Sequence, residues 1–466
     1  MEIKLNSILT TLVLAVLIFF FIADKNGTYL IGSEVQVYLL LAVTLVALVI
    51  NSRFNNEFLE ILNVVFVIFY ICRIPFIFSA DLSSMVIMRD VDISHIQWYL
   101  VVLAFQYLSL IICILTVNPR IPRWHLENPI SEYIFRRILV FSFIVILFNV
   151  ILTAFWLDLN KQVLSNIPSI LKTIFTIKSA IVVILLSSFM VEKKIFLKYK
   201  YFVVFCLLLG IGSITYEGGK SAVLLVILLT YLVMVVLRGP MVFRLRGLII
   251  LAVSTLGAFI SYYIGSIFRS HQLRGGISDG SIFFQLYQNI VHKADIFDWL
   301  HAISFRMGYL DFYIEVVSNP AYKAYVSFTY YFKAILDKLT PGFDIFNVPF
   351  MSRMLYPSYF ESSSTVMNSR LVTVFGESYL LFGFFSFCLF LPLLFLFKYA
   401  LSSVRTSSRL SDALFYMYLV YLFYWWLTGM GLDMWVTFVV YEGIFTFSII
   451  GLIWFWSRRE SLNTSV

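Results

Sequence analysis

Five ionisable side chains stand inside long apolar segments of the chain, away from the charges that flank those segments. Two are acids and three are bases: Glu377, Glu442, Arg73, Lys172 and Lys178. Ionisable residues in such surroundings are costly and mark functional sites by default. A carboxylate there could accept a proton from a hydroxyl group, and a cation could stabilise a phosphate. A structural ion pair between Lys178 and Glu442 is the alternative.

A second group of cations surrounds a long segment in the second half of the chain. Arg269 and Arg274 enclose a short stretch that contains His271, and two glycines follow. Two guanidinium groups beside flexible glycines could hold a pyrophosphate by paired hydrogen bonds. The alternative is that both side chains extend along a membrane surface. The other cations of this neighbourhood are Lys220, Lys293, Arg306, Arg353 and Arg370.

The cysteines and histidines do not indicate a metal site. All the cysteines lie within apolar runs, where cysteine behaves as a small buried hydrophobe. They form no Cys-x-x-Cys pair, and the histidines show no metal-ligand spacing. We therefore expect neither a bound metal nor another cofactor. The cysteines are Cys72, Cys113, Cys206 and Cys388.

The composition indicates that membrane-embedded helices position these groups. Of 466 residues, 61% are hydrophobic and only 13% are charged, against about 25% charged residues in an average soluble domain. So few charges cannot cover a soluble surface, and the composition also excludes a disordered chain and a disulfide scaffold. The long apolar runs exclude an outer-membrane barrel, whose strands alternate polar and apolar residues. We expect an all-α polytopic membrane protein, with residues 1–466 forming a single integral membrane domain.

Twelve apolar runs approach the length of about 20 residues that a helix needs to cross a bilayer. The first run lacks a cleavage site of small residues, so we expect a retained span and not a signal peptide. About twelve transmembrane helices are therefore predicted. They lie near residues 5–23, 34–50, 58–79, 97–117, 138–156, 168–191, 201–216, 220–237, 247–267, 372–398, 413–429 and 434–457.

The distribution of basic residues orients the predicted helices. Cytoplasmic loops of membrane proteins are enriched in Lys and Arg. With the N-terminus in the cytoplasm, more than half of the 34 basic residues fall in inner segments. The short outer loops hold only Lys25, Arg89, Lys161 and Lys220. We therefore predict that both termini are cytoplasmic. The net charge of +8 reflects this bias and not nucleic-acid binding.

One connection, residues 268–371, is far longer than the others and is predicted to form a large outer loop. It contains an amphipathic stretch over 294–306 and an aromatic run over 328–336, so we expect helical pieces at the membrane interface. A loop of this length is usually functional, although a packing insert is the alternative. The five charges inside predicted spans all lie in the outer half of the membrane or at its midplane. This placement predicts a polar cavity in the outer leaflet, covered by the loop.

Three short motifs resemble those of a bacterial enzyme family. Tyr216-Glu-Gly-Gly-Lys-Ser221 resembles an outer Gly-Gly/Ser-x-Arg turn, with Lys220 where many members have Arg. Leu339-Thr-Pro-Gly-Phe343 is similar to a Pro-Gly or Pro-Arg segment of the long loop. Val374-Phe-Gly-Glu-Ser-Tyr-Leu-Leu-Phe-Gly383 is similar to the entry into the next span. The family is that of the O-antigen and capsule repeat-unit polymerases (the Wzy type), and the likeness of layout covers nearly the whole chain.

The resemblance implies a metal-independent glycosyltransferase of the all-helical GT-C type in the bacterial cytoplasmic (inner) membrane. At the outer face it would transfer a growing glycan from undecaprenyl pyrophosphate to a new lipid-linked repeat unit. The implied partners are this lipid-linked oligosaccharide, membrane lipid, and a chain-length regulator and flippase of the same pathway. The candidates for accepting the proton of the attacking hydroxyl are Glu377, then Glu217 and His271. The candidates for binding the pyrophosphate are Lys220, Arg269, Arg274, Arg306 and Arg370.

Two other functions stay open. An O-antigen ligase has a similar layout but hands the polymer to lipid A or another acceptor. A polysaccharide flippase also has about twelve spans, but two similar halves around a central charged cavity are typical of such transporters. The long outer loop and the lack of an internal repeat favour the polymerase over the flippase.

Overall fold

The computed structural model describes most of the predicted spans and parts of the long 268–371 connection. The described residues are 2–25, 34–54, 56–75, 93–120, 132–158, 163–164, 193–216, 242–244, 309–318, 326–339, 345–346, 348, 373–403, 409–428 and 431–464. They are almost entirely helical, which confirms the predicted all-α class. The predicted spans near 168–191, 220–237 and 247–267 lie outside the described residues.

Long helices dominate the described chain. In order they are α1 (Leu5–Lys25), α2 (Glu34–Phe54), α3 (Glu57–Phe69), α4 (Ile93–Val117), α5 (Glu132–Trp156), α6 (Lys193–Tyr216), α7 (Tyr309–Ser318), α8 (Phe328–Leu339), α9 (Val374–Phe382), α10 (Phe387–Ser403), α11 (Arg409–Leu427) and α12 (Leu432–Thr464). Because α7 and α8 lie within residues 268–371, this connection does contain helical pieces. The described part of α7 begins directly after Gly308.

Helices occupy every predicted span that falls within the described ranges, but two of these spans are interrupted. The predicted span 372–398 is divided into α9 and α10 by a turn at Gly383–Ser386. The predicted span 58–79 begins as α3 and tightens into a 3₁₀ turn at Ile71–Arg73. Each interruption contains two hydrophobic residues, Phe384 and Phe385 in one and Ile71 and Cys72 in the other, so a count of apolar residues does not reveal them.

Two described helices are long and apolar enough to cross a membrane: α2, and α4 from Ile96 onward. Shorter apolar helical stretches lie at Asn6–Ile22, Phe387–Ser403, Tyr418–Leu427 and Thr446–Trp456. On α4 the large exposed side chains Trp98, Phe105 and Ile112 recur at an interval of two helical turns, so they form one apolar stripe. A stripe of this kind suits contact with an apolar partner better than contact with water.

Two short antiparallel ribbons connect segments between the helices. In the first, β1 (Glu2–Lys4) pairs with β4 (Val242–Arg244), and Ile3 lies opposite Phe243. In the second, β2 (Leu157–Asp158) pairs with β3 (Val163–Leu164). The first ribbon brings together two distant segments that are both predicted to be cytoplasmic.

Aromatic side chains fill the core between α3, α4 and the C-terminal helices. Phe66 stacks on Tyr107 with the ring centroids 3.6 Å apart, and Phe58 meets Phe423 edge-on at 4.8 Å. Such pairs contribute about 0.5–1.5 kcal/mol beyond the burial of their area. The Tyr107 hydroxyl donates to Asn63 Oδ1 at 2.5 Å, so this buried phenol is also paired. Because α4 packs against α2, α7, α9 and α10, it is a central element of the described fold.

The described helices of the long connection belong to this core. Helix α7 packs on α4 and α9, and α8 packs on α12. Leu310, Tyr313 and Ile314 of α7 are completely buried. Burying side chains of this size contributes about 1.5–3 kcal/mol each. The connection is therefore held against the helices by the same apolar contacts that hold the helices together.

Helix α9 is short, and its backbone is unusual at both ends. Thr373 at the N-cap has φ +59°, and its Oγ1 accepts from the Gly376 N–H at 3.1 Å. Gly383 at the C-cap has φ +58°, in the left-handed region that favours glycine. Non-glycine residues at positive φ are uncommon and cluster at functional sites. The nine residues of α9 are thereby set off as a separate element.

Candidate functional site

Glu377 is the one predicted proton acceptor that falls within the described residues. It lies in the first turn of α9, where the helix dipole stabilises a carboxylate. Its backbone N–H donates to the carbonyl of Thr373 at 3.0 Å, so the strained cap fixes the start of this turn. The side chain is 2% exposed. A buried carboxylate is costly unless it is hydrogen-bonded. The hydrogen bonds of Glu377 therefore determine which of its oxygens is left to accept a proton.

Two donors from distant parts of the chain meet on one oxygen of Glu377. The Tyr331 hydroxyl of α8 donates to Oε1, and the backbone N–H of Leu432 donates to the same atom at 2.7 Å. Leu432 is the first residue of α12, where backbone N–H groups have no partner within the helix. From the described residues, Oε2 receives no hydrogen bond. The carboxylate thus joins α8, α9 and α12 and keeps one oxygen as an acceptor.

A second acid lies beside this group. Asp433 is completely buried and accepts from the Tyr330 hydroxyl at 3.2 Å. Burial and then the charge of Glu377 raise the pKa of Tyr331 well above its ordinary value. Burial and then the charge of Asp433 raise the pKa of Tyr330 in the same direction. Both phenols therefore stay protonated near neutral pH and act as donors to the two carboxylates.

An ion pair fastens the long connection to the end of α3. Arg73 Nη2 lies 2.6 Å from Asp311 Oδ2, and Arg73 Nε donates to Oδ1 and Oδ2 of the same carboxylate at 3.0 and 3.1 Å. Both side chains are 1% exposed. Two charges can be buried together only with such close geometry, because each loses its hydration. Arg73, a candidate for a functional charge in the sequence, is thus engaged in a structural pair.

Gln106 of α4 is a second buried connector. Three oxygens lie within hydrogen-bond distance of its Nε2, which has two hydrogens to donate: the Phe375 carbonyl at 3.0 Å, Ser378 Oγ at 3.2 Å and Ser386 Oγ at 2.7 Å. Its Oε1 accepts from the Tyr313 hydroxyl at 3.1 Å. One amide therefore ties α9 to α4, α7 and the start of α10. Phe375 and Ser378 lie on either side of the candidate acid in the sequence, so Gln106 also holds the backbone that carries it.

A carboxylate in α8 accepts hydrogen bonds from backbone groups that follow the Pro-Gly motif in the sequence. Asp337 is 2% exposed, and its oxygens accept from the backbone N–H groups of Phe346 at 2.7 Å and Val348 at 2.8 Å. The chain after α8 is therefore folded back onto α8. In the sequence the Pro-Gly motif lies between Asp337 and Phe346, and its residues 340–343 are outside the described residues.

The remaining predicted site residues are not described, so their roles stay predictions. They comprise two further proton acceptors, five pyrophosphate cations and two buried lysines: Glu217, His271, Lys220, Arg269, Arg274, Arg306, Arg370, Lys172 and Lys178. Glu442 is a residue of α12, but its side chain is outside the described part, so its proposed pair with Lys178 is untested.

The long connection lies directly against Glu377. A hydroxyl of the long connection contacts the carboxylate directly, and the side chain is enclosed. Tyr330, Tyr331 and Asp433 belong to the site but are absent from the predicted set. The two tyrosines stand in the aromatic run 328–336, and Asp433 stands at the end of a predicted span. A phenol in a loop and an acid at a span end are the signals that point to them.

In the described site the carboxylates can accept a proton, and the tyrosine hydroxyls donate hydrogen bonds. Its two carboxylates interact electrostatically, and each accepts from its own tyrosine. Over the described ranges, no group of three or more His, Cys, Asp or Glu side chains is arranged to hold a metal ion. No protein-family model matches the sequence, and no curated protein or solved structure is significantly similar to it.

Proposed function

We propose that the chain is a multi-pass protein of the bacterial inner membrane that polymerises lipid-linked oligosaccharide repeat units. It would be a metal-independent glycosyltransferase of the GT-C type with about twelve spans and both termini in the cytoplasm. Its substrate is an oligosaccharide on undecaprenyl pyrophosphate, and it works with the flippase and chain-length regulator of the same pathway. The observation that carries the proposal is the buried Glu377 carboxylate, on which a helix of the long connection and two apolar helices converge.

Pairings among the described residues are consistent with the predicted alternation of sides along the chain. Asn51 Nδ2 donates to Asn6 Oδ1 at 3.0 Å, and Lys198 pairs with Glu132. Each of these pairs joins two segments that are predicted to be cytoplasmic, as does the ribbon of β1 and β4. The long connection, predicted to be outside, contacts the predicted outer ends of α3, α9 and α12. These contacts bear on which segments share a side and not on which side is cytoplasmic; the positive-inside rule supplies that assignment.

The proposed reaction forms one glycosidic bond and breaks one bond to the carrier. A hydroxyl at the non-reducing end of the new repeat unit attacks the anomeric carbon of the growing glycan. The bond from that carbon to the pyrophosphate oxygen breaks, and undecaprenyl pyrophosphate leaves with the electron pair. Glu377 accepts the hydroxyl proton at Oε2, while Tyr331 and the Leu432 N–H hold Oε1 in place. Lys220 and the arginines Arg269, Arg274, Arg306 and Arg370 would stabilise the charge on the leaving pyrophosphate.

Replacing Glu377 by Gln tests this assignment with little change of shape. The Gln carbonyl can still accept from Tyr331 and Leu432, so the three helices should stay joined. Polymerisation of purified lipid-linked repeat units should fall by about 10²- to 10⁴-fold, as expected for loss of a general base. The matched control is Glu132→Gln, which removes an exposed acid far from this site in the predicted topology. Normal chain lengths with Glu377→Gln would remove Glu377 from the mechanism.

A deletion of the whole gene distinguishes the polymerase from a ligase. Loss of a polymerase leaves single repeat units on the cell surface, whereas loss of a ligase leaves polymer on its lipid carrier. Transport of a fluorescent lipid-linked sugar by the purified protein in vesicles would instead indicate a flippase.

A further inference from the structure

Helix α8 presents three distinct faces, of which only one is covered by the described core. The two exposed stripes differ in chemistry. Phe328 and Phe332 are 67% and 64% exposed and form one stripe, while Thr329 and Lys333 are exposed one residue farther round the helix. Two exposed phenylalanines are unfavourable on a helix in water, and an exposed lysine is unfavourable on a helix in the bilayer core. The covered face consists of Tyr331, Ala334 and Asp337.

The aromatic stripe of α8 continues into the exposed stripe of α4. The Phe328 ring packs on the Phe382 ring at 5.7 Å. Two residues farther along the chain, the Phe384 ring packs on Trp98 at 5.4 Å and on Phe105 at 6.1 Å. Trp98 and Phe105 are each 51% exposed and lie on α4, one of the two described helices long and apolar enough to cross a membrane. If lipid covers this stripe of α4, it reaches α8 as well.

We propose that α8 lies in the plane of the membrane and that its partner is the outer leaflet of the bilayer. Phe328 and Phe332 insert among the acyl chains, whereas Thr329 and Lys333 face the headgroups. A cation beside an exposed aromatic stripe matches the composition of interfacial helices, which bind anionic lipids by charge and acyl chains by apolar area. Continuity with the stripe of α4 favours lipid over a second protein as the occupant of this surface.

The position of Phe384 sets the depth of α8. Its ring contacts two residues of α4 that are two turns apart, so it lies about 5 Å from each along the helix axis. Phe328 is held close to this level through Phe382. Tyr331, on the opposite side of α8, then places the Glu377 carboxylate just below the headgroups. A substrate with a polyprenyl tail would approach that carboxylate sideways from the bilayer; this consequence rests on the proposed function, whereas the lipid contact does not.

Site-specific photocrosslinking tests the lipid contact. Benzoylphenylalanine is placed at Phe332, Thr329 or Lys333, one position at a time, in the full-length protein. Each variant is reconstituted into vesicles of phosphatidylethanolamine and phosphatidylglycerol and irradiated, and lipid adducts are measured by mass. Phe105 on α4 serves as the reference for a lipid-facing position, since it is also a half-exposed phenylalanine. The substitution at Phe332 keeps an aromatic side chain, and Phe328 provides a second position on the same stripe.

We expect adduct yields at Phe332 to equal those at Phe105 and to exceed those at Thr329 and Lys333 several-fold. Equal yields around the exposed surface of α8 would overturn the proposal. So would crosslinks from Phe332 to protein in place of lipid, which would show that another chain covers the stripe. An absence of lipid adducts at Phe105 would also overturn the proposal, because it would show that lipid does not cover the exposed stripe of α4. None of these outcomes depends on glycan synthesis, so a failure of the proposed reaction would be seen separately.

Discussion

Arg73 and Asp311 form an ion pair with three hydrogen bonds, and both side chains are buried although 238 residues separate them in the sequence. Arg73 belongs to the 3₁₀ turn that continues α3, and Asp311 belongs to the first turn of α7. The pair therefore holds the long connection on the end of an apolar helix. Because the guanidinium group binds through two nitrogens, the pair fixes the orientation of the long connection as well as its position.

Loss of one partner of this pair should be strongly destabilising. Asp311→Ala leaves the Arg73 charge buried without its carboxylate, and the expected cost is about 3–5 kcal/mol. The measurement is the midpoint of thermal unfolding in detergent. The control is the double variant Arg73→Met with Asp311→Leu, in which apolar side chains of similar size replace both charges. Such replacements are often neutral, so the double variant should be more stable than either single variant. A double variant as unstable as Asp311→Ala would contradict this explanation.

Removal of the Tyr331 hydroxyl should slow the proposed reaction without abolishing it. Tyr331→Phe keeps the packing of α8 but removes the donor to Glu377 Oε1. A hydrogen bond to a charged group contributes about 1.5–3 kcal/mol, so kcat should fall roughly 10- to 100-fold while KM changes little. The matched control is Tyr399→Phe, because Tyr399 is 72% exposed. Equal loss of kcat in both variants would exclude a positioning role for Tyr331.

A methyl group at Gly376 should disturb the contact between α7 and α9. An added Cβ would lie 3.2 Å from Val316 Cγ1 and 3.2 Å from Thr373 Oγ1, which is tighter than ordinary contact. Gly376→Ala should therefore cost about 1–3 kcal/mol by overpacking and lower activity through the neighbouring Glu377. Gly451→Ala is the control, since nothing lies within 4 Å of its added Cβ. That change should be neutral or stabilise by up to about 1 kcal/mol, as alanine favours a helix. Equal unfolding midpoints for the two variants would show that α7 and α9 can separate without cost.

Acid should weaken the contact between α5 and α6. Hydrogen bonds from Lys198 and then from Tyr199 lower the pKa of the exposed Glu132 carboxyl. Because the folded pKa lies below the unfolded one, this contribution is present at neutral pH and is lost as the pH falls through the folded value. Lys198→Met should reduce this acid-dependent loss of stability, whereas replacement of the exposed Lys200 by Met should leave it unchanged. The measurement is the unfolding midpoint as a function of pH at low salt, because salt screens exposed pairs. An identical pH dependence in wild type and Lys198→Met would refute the assignment.

The sequence predicts the helices well because a long apolar run has few alternatives to a helix. It also indicates Glu377, since an acid in an apolar segment is rare. Its donors could not be predicted in the same way, because Tyr331 and Leu432 lie 46 and 55 residues away and meet the carboxylate only through packing. The turn at Gly383 is concealed for a different reason: its phenylalanines raise the hydropathy of a segment that is not helical.

The long connection is also unsuited to separate production as a soluble antigen or binding fragment. In the described part, Tyr313 and Ile314 are completely covered, Asp311 needs Arg73, and Tyr331 needs Glu377. A fragment of residues 268–371 would contain Asp311 without Arg73 and Tyr331 without Glu377. Antibodies raised against it would therefore select surfaces that the intact protein conceals, and reagents for this protein should be selected on the full chain in detergent or vesicles.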